Sequence, residues 1–271
     1  MLEKIKETVS YILKQININP EFGIILGTGL GGLANEIEVI HTIDYEDIPN
    51  FPVSTVDGHE GRLIFGKLGG KKVVAMQGRF HYYEGYTMEQ VTFPVRVMKY
   101  LNVKYLFVSN ASGGMNPEFS VGDLMIINDH INLLPNPLIG KHYPEFGDRF
   151  PDMSKAYDPG LIEKAKKIAE QNNIKVHTGC YVGVTGPTLE TPKEYGFFRM
   201  IGGDAVGMST VPEIIVAHQM NIPCFAISII TDLDIPGRIN KVTLEQVQQA
   251  AVKTEPKMTL LMKNLIASIE N

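Results

Sequence analysis

Cysteine is scarce, positive charge is outnumbered, and long apolar runs are missing; each absence removes a class of protein. The only cysteines are Cys180 and Cys224, far apart and each inside an apolar, strand-like run. No metal-ligand spacing surrounds them, so they read as reduced core thiols of a cytoplasmic protein. A formal net charge of −5 excludes a nucleic-acid binder that works by broad phosphate neutralisation. Any anion must be held by local donors. No apolar stretch approaches the ~20 residues of a membrane helix, and the first residues lack the basic-then-apolar order of a signal peptide. His41, His59, His81, His130, His142, His177 and His218 show no paired-ligand spacing, so neither a metal nor another cofactor is expected. What is there is ordinary globular material: 44% hydrophobic and 20% charged over 271 residues, ample for a sizeable core.

The chain alternates strand-like and helix-like segments without repeats or a linker, which predicts a single α/β domain spanning residues 1–271, with a mixed central sheet flanked by helices. Residues 2–16 carry apolar positions at a helical period, and 22–26 form a short buried-strand pattern followed by Gly27-Thr28-Gly29. Residues 62–65 and 71–76, joined through Gly69-Gly70, read as a hairpin. A helix is expected over 88–101, bent or cut short by Pro94, and then a strand over 104–108 ending in a loop of small residues, 109–115. Strands at 123–128, 175–185, 204–208 and 224–231 alternate with helices at 161–171, 192–200, 211–220 and 243–270. The one long irregular stretch, 134–159, holds five prolines; a loop of that length is usually functional or an interface element.

In α/β sheets ligands gather where strands end, and the strand ends here are chemically consistent. The segment 76–86 stops looking like core at Gly78 and offers Arg79, His81, Tyr82, Tyr83 and Glu84. Taken alone it is more simply a solvated turn. Thr28, the Ala111 amide, and Ser209 just before a helix starting near Pro212 add hydroxyls and backbone N–H groups. With Arg79 and His81 they make a cradle sized for one phosphate, not a triphosphate. Glu190 and Asp232 are carboxylates suited to the N–H edges of a heterocycle, and Tyr83, Leu189 and Met208 supply flat or soft surface for a base and a sugar. Singly, Thr28 reads as a loop residue, Met208 as core, Glu190 as a first-turn helix charge and Ser209-Thr210 as a helix cap. Their joint occurrence at strand ends is what those readings explain poorly. Tyr82 and Glu84 read as structure.

Seven stretches, in order and nearly end to end, carry a resemblance: 27–32, 58–63, 76–86, 110–116, 147–158, 186–191 and 206–213. The sequence resembles the trimeric purine nucleoside phosphorylases. The resemblance implies a mixed α/β fold, a homotrimer and metal-free phosphorolysis of purine nucleosides to free base and ribose 1-phosphate. By position it assigns phosphate binding to Thr28 (usually serine), Arg79, His81, Ser209 and the Ala111 backbone, with His59 on a loop that closes near the phosphate. It assigns ribose contacts to Tyr83 and Met208, the purine N1 edge to Glu190, and the ring face to Leu189 in place of a common phenylalanine. Phe150 would be lent to a neighbouring subunit. His81, Glu190 and Asp232 would carry the catalysis.

Two departures bear on substrate. Asp232 stands where asparagine is common, and relatives acting on 5′-methylthioadenosine carry aspartate there; Leu244 stands where many members have a histidine near the 5′-hydroxyl. Both favour 6-amino or 5′-modified substrates, whereas Glu190 and the wording of 76–86 favour inosine and guanosine, the preferred reading. Two rivals stay open. An NAD-dependent oxidoreductase is allowed by Gly27, Gly29 and Gly32 in G-x-G-x-x-G spacing, with Asp44 and Asp47 near the ~20-residue offset, although no second strand is predicted to end in that acid. A non-catalytic nucleoside or phosphate receptor is allowed by the same cradle.

Overall fold

The computed structural model describes residues 1–27, 30–53, 55, 60–235, 239 and 241–270. Helix α1 (Leu2–Gln15) forms because Ile5, Val9 and Ile12 recur on one face, which is buried. It feeds β1 (Phe22–Leu26), buried at all five positions. A single-turn α2 (Gly32–Asn35) and β2 (Glu38–Asp44) follow. Strands β3 (Arg62–Leu68) and β4 (Lys71–Gln77) make the expected hairpin, turning at Gly69 and Gly70, both at positive φ. Next come α3 (Met88–Tyr100), β5 (Tyr105–Gly114), β6 (Leu124–Asn132), α4 (Pro159–Gln171) and β7 (Val176–Gly183). The chain closes with α5 (Pro192–Met200), β8 (Ala205–Gly207), α6 (Val211–Gln219), β9 (Cys224–Leu233) and α7 (Leu244–Ala267). Pro94 does not end α3, which runs unbroken through it.

The strand order β2-β3-β4-β1-β5-β8-β7-β6-β9 returns on itself, because β9 also pairs parallel with β5 along its whole length. Strands β5, β8, β7, β6 and β9 thus close into a small barrel, and β1 to β4 extend from it as an open twisted sheet. Of the stretch 109–115, expected as a loop, residues 109–114 are instead the second half of β5. Its small residues are strand because β9 pairs with them from Ser109 to Gly114 and buries Asn110 and Ser112. Small side chains there let two strands and the site approach one backbone.

Strands β1, β4, β5 and β9 run parallel, so their ends lie on one side. Strand β8 runs antiparallel to β5, starting beside Gly114 and heading back, and so delivers Ser209 and Thr210 to the middle of β5. Residues 134–158 hold only one short helical turn, Pro144–Phe146. Among the described residues, no helix is long and apolar enough to cross a membrane.

The dinucleotide reading fails on this topology. A strand does end in Asp44, contrary to the sequence expectation, but it lies at the sheet edge, antiparallel to β3 and separated from β1 by two strands. Among the described residues the helix between β1 and it is the single-turn α2, too short for a crossover. The Glu255 carboxylate of α7 also accepts from the Leu33 amide at 3.1 Å, filling the helix N-terminus that a pyrophosphate would need.

Candidate active site

A cavity of about 410 Å³ opens at the barrel mouth, where β1, β4, β5, β8 and β9 present their ends. It brings together Arg79, His81, Tyr83, Ala111, Leu189, Glu190, Met208, Ser209 and Asp232, which lie up to 153 residues apart in sequence (Arg79 to Asp232). Phe150 is not among them; it sits on the long loop at 87% exposure, beside the Arg149 guanidinium. Thr28 and His59 lie outside the described residues.

At one end of the cavity Arg79 is 1% exposed and its guanidinium is pinned on several sides. It donates to the Ser109 carbonyl at 2.5 Å, the Ile25 carbonyl at 3.4 Å and the Thr210 hydroxyl at 3.1 Å, and pairs with the Glu213 carboxylate at 3.5 Å. A buried cation held this way needs no reorganisation to meet an anion. Burial pushes the Glu213 carboxyl up, against the pull of Arg79. Thr210 does not cap α6 with its hydroxyl. It adopts φ +66°, unusual for a β-branched residue, and its hydroxyl accepts from Arg79 and from Asn110 Nδ2 at 2.8 Å. That local strain aims Ser209, whose hydroxyl lies 3.2 Å from that of Thr210, along the cavity wall.

His81 is held by a residue that the sequence reading left without a role. Glu84 Oε1 accepts from the His81 amide at 2.7 Å and lies 3.0 Å from His81 Nδ1. Glu84 Oε2 accepts from the amide and hydroxyl of Thr55, at 3.0 and 2.6 Å. These bonds outweigh its desolvation and take the Glu84 carboxyl down to about 2. Burial lowers the His81 imidazole, although Glu84 opposes the shift. Neutral His81 therefore carries its proton on Nδ1, towards Glu84. Tyr83 stacks on the imidazole, 4.7 Å between centroids and 14° between planes. Burial raises its phenol to about 12, so it stays a hydrogen-bond donor.

The other end is acidic and apolar. Burial raises the Glu190 carboxyl. Two residues missed in the sequence stand with it: Asp234, the residue just past β9, whose carboxyl crowds Gly113 together with that of Asp232, and Tyr195 of α5, which is 4% exposed. Burial, then the neighbouring Asp232, push the Asp234 carboxyl up to about 8. Strand alternation beyond Asp232 was the signal that could have revealed Asp234; Tyr195 had none outside its helix period. Gly186, at φ +60°, lets Met208 press against the backbone where a Cβ would collide with its sulfur. Leu189 is half exposed at the rim, and Val242, Leu244 and Val247 make an aliphatic wall.

A closed barrel with an extended sheet, and a cavity with a fixed cation at one end and carboxyls at the other, define a class. The chain belongs to the phosphorylase superfamily, whose family model matches residues 21–267. Within that superfamily it groups with the purine nucleoside phosphorylases. It is 50% identical to purine nucleoside phosphorylase 1 of Bacillus subtilis (strain 168), with 100% of both chains aligned. Two solved structures of the Schistosoma mansoni purine nucleoside phosphorylase superpose closely. The complex with adenosine has a TM-score of 0.95 and 43% identity, covering 99% of this chain and 98% of that one. The complex with inosine has a TM-score of 0.94 and 42% identity, covering 99% and 97%.

Proposed function

We propose that the cavity carries out reversible phosphorolysis of purine ribonucleosides and 2′-deoxyribonucleosides, with inosine and guanosine preferred, in purine salvage. Inorganic phosphate is the co-substrate and no cofactor takes part. The observation that carries this reading is the polarity of one continuous cavity: Arg79, His81 and Ser209 at one end, Glu190 and Asp232 at the other.

Phosphate rests against Arg79, His81, Ser209 and the Ala111 backbone, with Thr28 and His59 completing the cradle. Tyr83 and Met208 contact the ribose, Leu189 covers the ring, and Glu190 accepts from purine N1–H. A phosphate oxygen bonds to C1′ as the C1′–N9 bond breaks, its electron pair leaving with the purine. The purine takes a proton, received from the Asp232 side at N7, and the products are free base and (deoxy)ribose 1-phosphate. Positive charge growing at C1′ meets the phosphate held by Arg79, and negative charge on the base meets donors at the far end. No covalent enzyme intermediate is needed.

We read the protein as a cytoplasmic homotrimer, in line with two unpaired thiols. Exposed Phe150 on the 134–158 loop is the kind of aromatic that closes a neighbour's site. A second reading, phosphorolysis of 6-aminopurine or 5′-modified nucleosides, is favoured by Asp232 and by the aliphatic Leu244 wall.

Arg79→Ala and Arg79→Lys test the assignment. Expected is a fall of about 100-fold or more in kcat/KM for phosphate with alanine, and partial recovery with lysine. Near-wild-type phosphorolysis by the alanine variant at subsaturating phosphate removes Arg79 from the site. A receptor would bind inosine yet never release ribose 1-phosphate.

A further inference from the structure

A second cavity, of about 460 Å³, shares no lining residue with the first. It opens between α3 and the part of the long loop that spans 135–149. Arg96 of α3 lines it and is only 5% exposed, so its guanidinium is a buried cation. The guanidinium carbon lies over the Phe146 ring, 4.3 Å from its centroid. Its polar contacts are poor. Nη1 makes one long donation to Gln219 Oε1, at 3.4 Å, and Nε meets no acceptor among the described residues. Glu89, two turns earlier on α3, also lines the cavity but forms no ion pair with Arg96. Arg79, by contrast, has Glu213 as its counter-ion. A buried charge without a close partner is costly until an anion joins it. Burial takes the Arg96 guanidinium down to about 10, against the pull of Glu89, which still leaves it charged at neutral pH.

The loop is folded so that more donors reach the same cavity. Arg149 Nη1 donates to the Leu138 and Gly140 carbonyls, at 2.9 and 3.1 Å, and Gln219 Nε2 donates to the Asp148 carbonyl at 3.0 Å. Gly147, at φ +107°, passes so near α6 that a Cβ there would collide with the Gln219 carbonyl. These contacts close the loop over Arg96 and leave Lys141, His142 and Arg149 in the lining. The fixed side-chain cations of the lining are then Arg96, Lys141 and Arg149, against the single carboxylate of Glu89, an excess of two charges. A phosphate group, at about −1.5 to −2 near neutral pH, matches that excess, whereas a monocarboxylate leaves part of it uncompensated. The planar fork of Arg96 suits two oxygens of such a group, and Lys141 serves as a point charge. The volume leaves room for a small organic group beside the phosphate.

We propose that this cavity is a second anion site, separate from the one assigned to phosphorolysis, which takes the phosphate group of inorganic phosphate or of a small phosphate monoester between buried Arg96 and exposed Lys141. A dianion there joins α3 to the loop over 138–149, and so fastens the segment that leads directly into Phe150. None of these residues has a part in the phosphorolysis described above, so the inference stands whether or not that reading does.

The test is equilibrium dialysis of the full-length protein against inorganic phosphate and, separately, ribose 5-phosphate, with Arg79→Ala, Lys141→Ala and Arg96→Met alongside the unsubstituted chain. The unsubstituted chain should bind two phosphates at concentrations up to ~10 mM, the range of a weak site, and Arg79→Ala should keep one of them. Lys141→Ala truncates an exposed side chain and should weaken that one about tenfold, the loss of one charged hydrogen bond. Arg96→Met should abolish it, and both variants should keep the phosphate that depends on Arg79. Should Arg96→Met fail to fold by circular dichroism, Lys141→Ala decides alone. Tighter binding of ribose 5-phosphate than of inorganic phosphate at the Lys141-dependent site identifies a monoester as the occupant, and the reverse order identifies phosphate itself. A single phosphate per chain that disappears in Arg79→Ala overturns the inference. So does a second phosphate whose affinity in Lys141→Ala stays within threefold of the unsubstituted chain. One phosphate that ignores Arg79→Ala but weakens in Lys141→Ala upholds this site and removes the phosphate cradle of the phosphorylase reading instead.

Discussion

Glu84 shows how a residue without a contact to the cavity can govern one that lines it. Its carboxylate fixes the proton of His81 on Nδ1 and ties Thr55 to the same turn. Glu84→Gln keeps the shape but removes the charge that orients the imidazole. A charge-assisted hydrogen bond is worth ~1.5–3 kcal/mol, and only part of that is lost with a glutamine. We expect KM for phosphate to rise about tenfold, with kcat for a saturated enzyme changed less. A phosphate KM within twofold of the parent would remove Glu84 from the positioning of His81. The sign with pH is equally definite. A carboxyl lowered to about 2 from 4.5 contributes stability above its unfolded value, lost as pH falls through the folded one. The parent should therefore lose more stability than Glu84→Gln between pH 5 and pH 2.

At the scale of elements, the site depends on how closely β1 and β5 approach. Gly27 directly follows β1 and lies against β5, and a Cβ there would lie 2.8 Å from the Ser109 carbonyl and 3.0 Å from Asn110 Cα, both backbone. Backbone cannot swing aside, so Gly27→Ala forces the strands apart. The expected cost is ~1–3 kcal/mol, the range for overpacking, seen as a lower urea midpoint at constant m. Because Ser109 carries the carbonyl that holds Arg79, phosphate affinity should fall with it. An unchanged midpoint would mean that the two strands have slack. The same element shows what local pattern conceals. Residues 109–114 look like a loop because small side chains carry no strand signal, and they are strand only because β9 lies alongside.

Across the whole molecule, two expectations follow from assembly and from charge. If Phe150 completes a neighbour's site, sedimentation equilibrium should return three chain masses. Phe150→Ala should then raise the nucleoside KM about tenfold, as for an aromatic anchor worth over 1 kcal/mol, while the phosphate KM stays put. A monomer in solution would end that account. The buried acids also set the stability profile. Asp234, Glu190, Glu213 and Glu255 all have raised carboxyls. Above their ordinary range the folded state holds protons that the unfolded chain has released, so stability falls as pH rises. Lowered His81 and His130 act the opposite way, but only up to their ordinary value near 6.5. Between pH 7 and about 8 the acids are unopposed, and Tm should decline; Asp234→Asn should flatten that decline.

Much of this protein was legible without coordinates. Apolar period and turn residues determine α1, the β3–β4 hairpin and the buried β1, because burial and backbone geometry act locally. The polar strand ends marked Arg79, His81, Glu190 and Asp232 as a group. Tertiary structure alone decided the rest. It closed β5 to β9 into a barrel, a matter of pairing between distant segments that no local pattern encodes. It turned Thr210 away from its helix and towards Arg79. It also placed Asp234 and Tyr195 beside Glu190, and so raised the Asp234 carboxyl at that end of the cavity, since burial and neighbouring charge act over distances that the sequence does not record.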